Sequence, residues 1–494
     1  MNRSFFPIRA ATLVFAFCLP QITFSQEQLG MRLERYSGIY GASINPANTA
    51  DNPNNWEVSL FTAEAFLENK YAFLRNTSLP HALRNSDNIV SILDTSLENI
   101  PPADAVILDY FDRKRKLYAV AQARVTGPGF SFRFAEKNVL GLTTALRTEM
   151  SAYKIPEIFA YRTISNLPRN QAINMPPAGF AGMVWGEIGL HYSRSSSDGD
   201  VQKSWGISPK LLLGLEGFYT RARSNFDYTQ RLGDTAAFGS ANWDYALSLG
   251  NAADPDNVQL RKQGTGVGLD LGFTWASLNT TNENEYAWRF GASIVDLGFV
   301  RFNKTSERHH ITFDTLLTVS DADFPTRNNA VEVLRDASQA FLGDPTASIV
   351  GQSFAIGLPT ALSLQFDAQV AQHFYVAGLL LQRVPLLKYN VKRPNTLAVV
   401  PRFETRWASF SMPFVLSDWQ SLRVGAAARL GWLYIGSDNL GSFFTKHKLT
   451  GADIYIGLKI NAFSLNFNRG NRLSRESGGK RGRQQRKKIK CYEF

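Results

Sequence analysis

Cysteine is nearly absent: only Cys18 and Cys491 stand in the 494 residues. Cys18 lies in an N-terminal apolar run, so its removal with that run leaves no intramolecular disulfide and no cysteine-built metal site. Phe15–Cys18 also lacks the small residues that precede a lipoprotein cysteine, and no lipid anchor is expected there. Beyond the N-terminal run the sequence has no apolar stretch approaching the roughly 20 residues of a spanning helix. No G-x-S-x-G elbow, H-E-x-x-H pair or Lys-Ser/Thr phosphate cradle occurs, which removes the commonest short-motif signatures of hydrolases, zinc proteases and nucleotide enzymes.

What is present begins with MNRSFFPIRAATLVFAFCLPQITFSQ. Arg3 and Arg9 precede the apolar Ala10–Leu19, and Thr23 and Ser25 are small residues before a cut expected between Ser25 and Gln26. That order is a secretory signal peptide over residues 1–25. The body that follows is 26–470, and 471–494 is a basic tail.

The overall composition is 44% hydrophobic and 19% charged, ordinary for a soluble chain. A transmembrane β-barrel has the same average, because only one face of each strand meets lipid. In hydrocarbon only helices and closed barrels pair all their backbone groups. Short amphipathic segments fill the chain: Trp56–Leu74, Lys116–Val125, Phe130–Phe134, Val139–Thr148, Gly182–Ser193, Ser204–Tyr219, Gly264–Trp275, Tyr286–Phe299, and then Phe354–Gln365, Ala368–Val384, Arg402–Pro413, Leu422–Gly431 and Gly451–Phe467. Trp56, Val58 and Leu60 alternate with Glu57 and Ser59, the period of a strand with two unlike faces. The spacing predicts an all-β, antiparallel transmembrane barrel of about 14 strands, an even number being usual for closure of a single chain. Asp367, Arg402, Arg406 and Arg429 fall in or beside these segments and are expected to face the lumen. Trp185, Trp275, Tyr286, Trp288, Trp407 and Trp432 stand near segment ends and are expected to form an interfacial girdle.

Between the segments, residues 27–55 are rich in Gly, Asn and Pro and read as a plug-like stretch. Long polar insertions at 221–262 and 303–352 belong outside the hydrocarbon layer, with a helical pattern at Ala330–Phe341. The formal charge of +11 is uneven, since 471–494 holds nine Lys or Arg against two Glu. Such a tail cannot build an apolar core and is expected to be disordered in the periplasm. Phe494 resembles the terminal aromatic of a barrel insertion signal, but the basic stretch before it departs from that pattern.

Several ordered blocks carry a family resemblance: YGASINPANTAD, WEVSLF, GVGLDLGFTW, FGASIVDLGFVRF, LPTALSLQFDAQV, PRFET, LYIGSDNLG and GADIYIGLK. Over residues 35–465 the chain resembles the Bacteroidota outer-membrane β-barrel family carrying the DUF5723 domain. More remotely it resembles long-chain fatty-acid transporter-like barrels. The resemblance implies the outer membrane of a diderm bacterium and brings no catalytic centre or ligand site.

The remaining candidates for chemistry are few. Glu307, His309 and His310 lie together, but adjacent residues of an extended segment point apart, and an exposed polar loop is expected. His191 and His373 fall in strand patterns, whereas His447 sits in a polar turn. Asp270 and Asp296 share the surroundings LDLG and VDLG and are expected to line the lumen, either binding a polar solute or forming a salt bridge to arginine. Ser437, Asp438, Asn439 and Gly441 form a turn signal, with too few spaced oxygens for calcium. No catalytic, cofactor or metal residue is assigned, no cofactor is expected, and the chain is read as a non-enzyme. The expected role is a scaffold or accessory component of an envelope or secretion-related complex. The alternative is a transporter of a small hydrophobic or amphipathic solute. The expected contacts are outer-membrane lipid and, through the basic tail, an envelope protein or peptidoglycan, with no nucleic acid.

Overall fold

A computed structural model describes residues 27–461 except 93–104, 112–116, 157–169, 232–234, 254–258, 280–281, 326, 328 and 445–447. His447, Cys18, Cys491, the basic tail and the boundaries at 25 and 470 lie outside the described residues.

The alternating segments pair edge to edge into one closed wall of fourteen strands. In chain order these are β1 Trp56–Asn69, β2 Leu117–Thr126 with Gly129–Phe134, β3 Asn138–Ile155, β4 Gly179–Asp198, β5 Val201–Ala222, β6 Gly264–Asn279 and β7 Asn282–Phe302. They continue as β8 Phe354–Gly357 with Ala361–Ala371, β9 Phe374–Arg383, β10 Thr396–Glu404, β11 Ala408–Ser411 with Phe414–Ser417, β12 Ser421–Val424 with Ala426–Leu430, β13 Leu433–Ser437 and β14 Gly451–Asn461. Every neighbour pair is antiparallel. The ladder from Glu57↔Asn461 to Glu68↔Gly451 joins β14 to β1 and leaves no free edge. Among the described residues no helix is long and apolar enough to cross a membrane; the crossing is made by strands.

Alternation sorts the side chains. Leu190, Trp205, Leu211, Val267, Phe273, Phe366, Val399 and Phe410 point outward and are exposed, whereas Glu187, His191, Lys210, Asp270, Asp367 and Arg402 point inward and are buried. Outward Leu and Phe suit lipid, and the inward polar set needs partners inside. A bulge at Leu60–Phe61 turns both outward and keeps Glu57, Ser59, Thr62 and Glu64 on the inner face. The connections after β2, β4, β6, β8, β10 and β12 are all tight, so that end of the barrel is periplasmic and the other exterior. Trp275, Trp407 and Trp432 are exposed near the tight-turn end, as a girdle requires. Trp185 and Tyr286 are not part of it: both are buried in the lumen, Trp185 under the Arg147 guanidinium at 4.7 Å and Tyr286 bonded to Asp367. Distance from a strand end did not decide their level; inward parity did.

The long insertions carry more structure than their polarity suggests. Ala241–Ser248 continues the wall beside the end of β5 and pairs with Ser306–Phe313. Ile173–Met175, Phe226–Gln230, Thr235–Phe238 and Leu317–Ser320 form a second sheet. The helix Ala330–Leu342 begins where Asn329 accepts the Val331 N–H at 2.8 Å and stops at Gly343, whose φ is 78°. An N-cap side chain and a left-handed glycine are the expected stop signals of such a helix.

Residues 27–55 fill the barrel. They form short helical turns at Leu29–Arg32, Arg35–Ser43 and Asn48–Asp51, nearly all buried. Inward glycines make room for them: a Cβ at Gly206 would meet the Pro46 backbone at 2.5 Å, and one at Gly272 would meet Asn45 at 2.0 Å. Gly38 turns the chain at φ 55°, and a Cβ there would strike the Glu57 carboxylate.

Candidate functional site

The wall has a weak point in β2, and its cause is readable in the sequence Thr126–Gly127–Pro128–Gly129. Proline has no N–H to give a ladder and glycine allows the backbone to bend. Pairing to β1 stops at Thr62↔Thr126 and resumes at Ser59↔Gly129. Pairing to β3 stops at Ala145↔Thr126 and resumes at Leu142↔Phe130. Across the break to β3 stand the Gly127 N–H to the Thr144 carbonyl at 2.9 Å and the Thr144 hydroxyl to the Pro128 carbonyl at 3.0 Å.

The side chains around the break are small: Ser59, Thr62, Thr126, Thr143 and Thr144, with Gly127 and Gly129. They line a cavity of about 40 Å³ that runs inward to Gln28 and Tyr40 of the N-terminal segment and to Arg124, Glu187, His191 and Lys210. Thr143 has inward parity and Thr144 outward parity, and both line it, so the cavity reaches from the lumen side into the wall at the break. It has room for about three water molecules and not for an organic solute.

At the inner end stands a net of charges drawn from six strands, the β9–β10 connection and the N-terminal segment. Arg147 of β3 meets Asp296 at 2.8 Å, Glu187 at 3.2 Å and Glu149 at 2.5 Å. Lys210 of β5 meets Asp270 at 2.8 Å and Asp296 at 2.9 Å. Arg393, from the β9–β10 connection, reaches Asp296 at 2.5 Å and Glu27 at 3.1 Å. Arg32 joins Glu27 to Glu64 of β1 at 3.3 and 2.6 Å. Asp296 can serve three cations because it sits in a left-handed conformation, φ 55°, at an irregularity of the β6–β7 ladder. Aspartate tolerates that conformation better than most residues, and such irregularities re-aim a side chain. Buried charges persist only when paired, so the net fixes the relative positions of β3, β5, β7, the β9–β10 connection and the N-terminal segment.

His191 ties three strands beside the cavity, with Thr143 Oγ1 2.8 Å from Nε2 and Ser208 Oγ 2.6 Å from Nδ1. Two polar atoms facing this region, Gln28 Nε2 and Arg124 Nε, have no hydrogen-bond partner among the described residues.

Asp270 and Asp296 stand in the lumen where expected, Asp296 paired with arginine and Asp270 with Lys210. Asp367, Arg402 and Arg429 also face inward: Arg402 grips Asp367 at 2.6 Å, and Arg429 reaches Glu34 at 2.8 Å. Arg406 is exposed in the β10–β11 turn, and His373 occupies the β8–β9 turn. Ser437 and Asn439 make the expected turn, but Asp438 does more, accepting the Leu29 N–H at 3.2 Å. The exposed-loop expectation for Glu307, His309 and His310 is overturned. All three lie in the strand Ser306–Phe313, and His309 is fully buried with Ser348 Oγ at 2.8 Å and Glu307 at 3.1 Å. This Ser–His–Glu chain is not a hydrolytic relay: Ser348 is also fully buried and receives the Tyr245 hydroxyl, which makes it a tie beneath the helix Ala330–Leu342. No group of three potential metal-binding side chains occurs among the described residues.

Arg147, Glu187, Lys210 and Arg393 were not foreseen as a site. The first three carried a usable signal, a charge at inward parity within an otherwise lipid-suited strand. Arg393 lies outside the strands and carried none.

A family model described as a family of unknown function, DUF5723, matches residues 46–438. No curated protein matches the chain. Among solved structures it is similar to a monoaromatic hydrocarbon channel, the TodX deltaS2S3 mutant, at 8% identity over 86% of this chain and 94% of that one, TM-score 0.39. It is also similar to the CymD monoaromatic hydrocarbon channel, 8% identical over 90% and 98%, TM-score 0.31. A Pseudomonas aeruginosa FadL homologue shares 8% identity over 89% and 98%, TM-score 0.22.

Proposed function

Since the chain belongs to the DUF5723 family and is a closed barrel of the outer membrane, we propose that it is a non-enzymatic transporter of a small hydrophobic or amphipathic solute. One observation carries this reading: the interrupted ladder at Thr126–Gly129, with a cavity that reaches from the filled lumen into the wall there. A structural scaffold has no need of a broken ladder, whereas a solute dissolved in the bilayer needs a lateral way through. The passage is closed here by its size. Opening it requires Gln28 and Tyr40 to withdraw, and the Arg32–Glu64 and Arg393–Glu27 pairs hold the N-terminal segment in place.

The test is uptake of the fluorescent amphipath N-phenyl-1-naphthylamine by cells producing the protein. Thr144→Trp places an indole in the cavity from its outer end and is expected to slow protein-dependent uptake at least fivefold. Uptake indifferent both to this substitution and to deletion of the protein would reject the reading.

The scaffold role is the second reading. The observation favouring it is the additional sheet and helix built from the long insertions. Affinity purification from gently solubilised outer membrane, with recovery of a defined co-complex, supports it; a lone protein whose loss leaves secretion unchanged removes it.

A further inference from the structure

The exterior ends of β6 and β7 carry Arg261, Lys262, Arg301 and Lys304, all exposed. The two ends are held side by side. The Gln263 carbonyl accepts the N–H groups of Asn303 at 3.3 Å and Lys304 at 3.1 Å, and Thr265 pairs with Arg301. Among the described residues none of the four has a carboxylate at ion-pair distance. Among the described residues, then, no ion pair neutralises these four cations.

Their level is set by the same strands. The next outward pair toward the periplasm, Val267↔Phe299, is exposed and apolar, followed by Leu271 and Ile294. Two residues of strand, about 7 Å, separate lipid-suited side chains from the cations. That step is where hydrocarbon gives way to head groups. A cationic patch whose charges form no ion pair among the described residues fits a partner of opposite charge. Phosphate suits it best, because a guanidinium donates two parallel hydrogen bonds to phosphate oxygens while lysine supplies point charge.

We propose that Arg261, Lys262, Arg301 and Lys304 dock the phosphate-bearing head group of an outer-leaflet glycolipid, whose acyl chains lie along Val267, Phe299 and Ile294. Continuity of the patch with the lipid-facing band favours a lipid over a free anion. The site is separate from the β2 break, so it stands or falls apart from the transport reading.

The experiment is native mass spectrometry of the full-length protein in neutral detergent. It is titrated in turn with bis-phosphorylated lipid A, the same lipid dephosphorylated, and inorganic phosphate. The phosphorylated lipid is expected to stay bound, the dephosphorylated lipid to bind at least tenfold more weakly, and inorganic phosphate to leave lipid binding intact at micromolar concentration. R261Q/K262Q/R301Q/K304Q is expected to lose at least tenfold in affinity while keeping the heat-dependent gel shift of a folded barrel. Should that variant fail to fold, Arg301→Gln and Lys304→Gln singly are expected to weaken binding severalfold. Equal retention of both lipids, retention unchanged in folded variants, or displacement by micromolar phosphate would overturn the assignment.

Discussion

Arg147 and Asp296 stand 149 positions apart in the sequence and form a two-point ion pair in the lumen, with Nη1–Oδ1 at 2.8 Å and Nη2–Oδ2 at 2.9 Å. Asp296 also holds Lys210 and Arg393, and Arg147 also holds Glu149 and Glu187, so the pair is the hub of the charge net.

Replacing the guanidinium should expose that dependence. Arg147→Met leaves three buried carboxylates short of one cation, and breaking a buried pair costs about 3–5 kcal/mol. The midpoint of urea unfolding in lipid vesicles should fall accordingly. Arg147→Lys keeps the charge but loses the fork, and its loss should be smaller. Equal stability of wild type and Arg147→Met would show that the net does not hold the barrel.

The closing seam offers a cleaner test of coupling. Lys459 of β14 is buried, 3.1 Å from Glu57 of β1, and donates to the Tyr36 and Ser37 carbonyls at 2.6 and 2.8 Å. Lys459→Met alone should destabilise strongly and speed hydrogen exchange at Glu57–Ser59. Adding Glu57→Gln removes the orphaned charge and should recover part of the loss. A double-mutant cycle with coupling below about 0.5 kcal/mol would mean that the two side chains act independently.

Gly38 is a backbone requirement. Alanine there must hold φ near 55° and push into the Glu57 carboxylate, which also accepts the Ile39 N–H. The strain is roughly 1–3 kcal/mol. Gly38→Ala should loosen residues 27–55 without opening the wall ladder, read as greater ion conductance of the reconstituted barrel with unchanged strand content by circular dichroism. Conductance equal to wild type would indicate that the turn accommodates a side chain.

The exterior layer should respond to acid. Burial pushes the His309 imidazole down from 6.5 to about 4; Arg335 pushes the same way and Glu307 opposes both. The folded state thus prefers the neutral ring. Its contribution to stability is complete above pH 6.5, declines as pH falls, and is gone below about pH 4. Amide exchange in Ser306–Phe313 and Ala330–Leu342 should quicken over that window, and His309→Gln should flatten the dependence. A pH-independent wild type would contradict the burial of the ring.

The fourteen-strand barrel was legible because alternation and tight turns are local, and the even count follows from closure. Asp270 and Asp296 were legible because each interrupts an apolar, glycine-marked strand with a lone carboxylate. Sequence alone also separated Lys116–Val125 from Phe130–Phe134 at Thr126–Gly129. It did not reveal that both are one wall strand with a break between them, since that depends on β1 and β3 passing the break without interruption. The identities of Arg147's partners, the inward turn of Trp185 and Tyr286, and the burial of His309 were decided by tertiary structure. Each depends on strand register and on which distant elements close over the lumen. Periodicity assigns a side chain to one of two faces; only the closed barrel determines what that face meets.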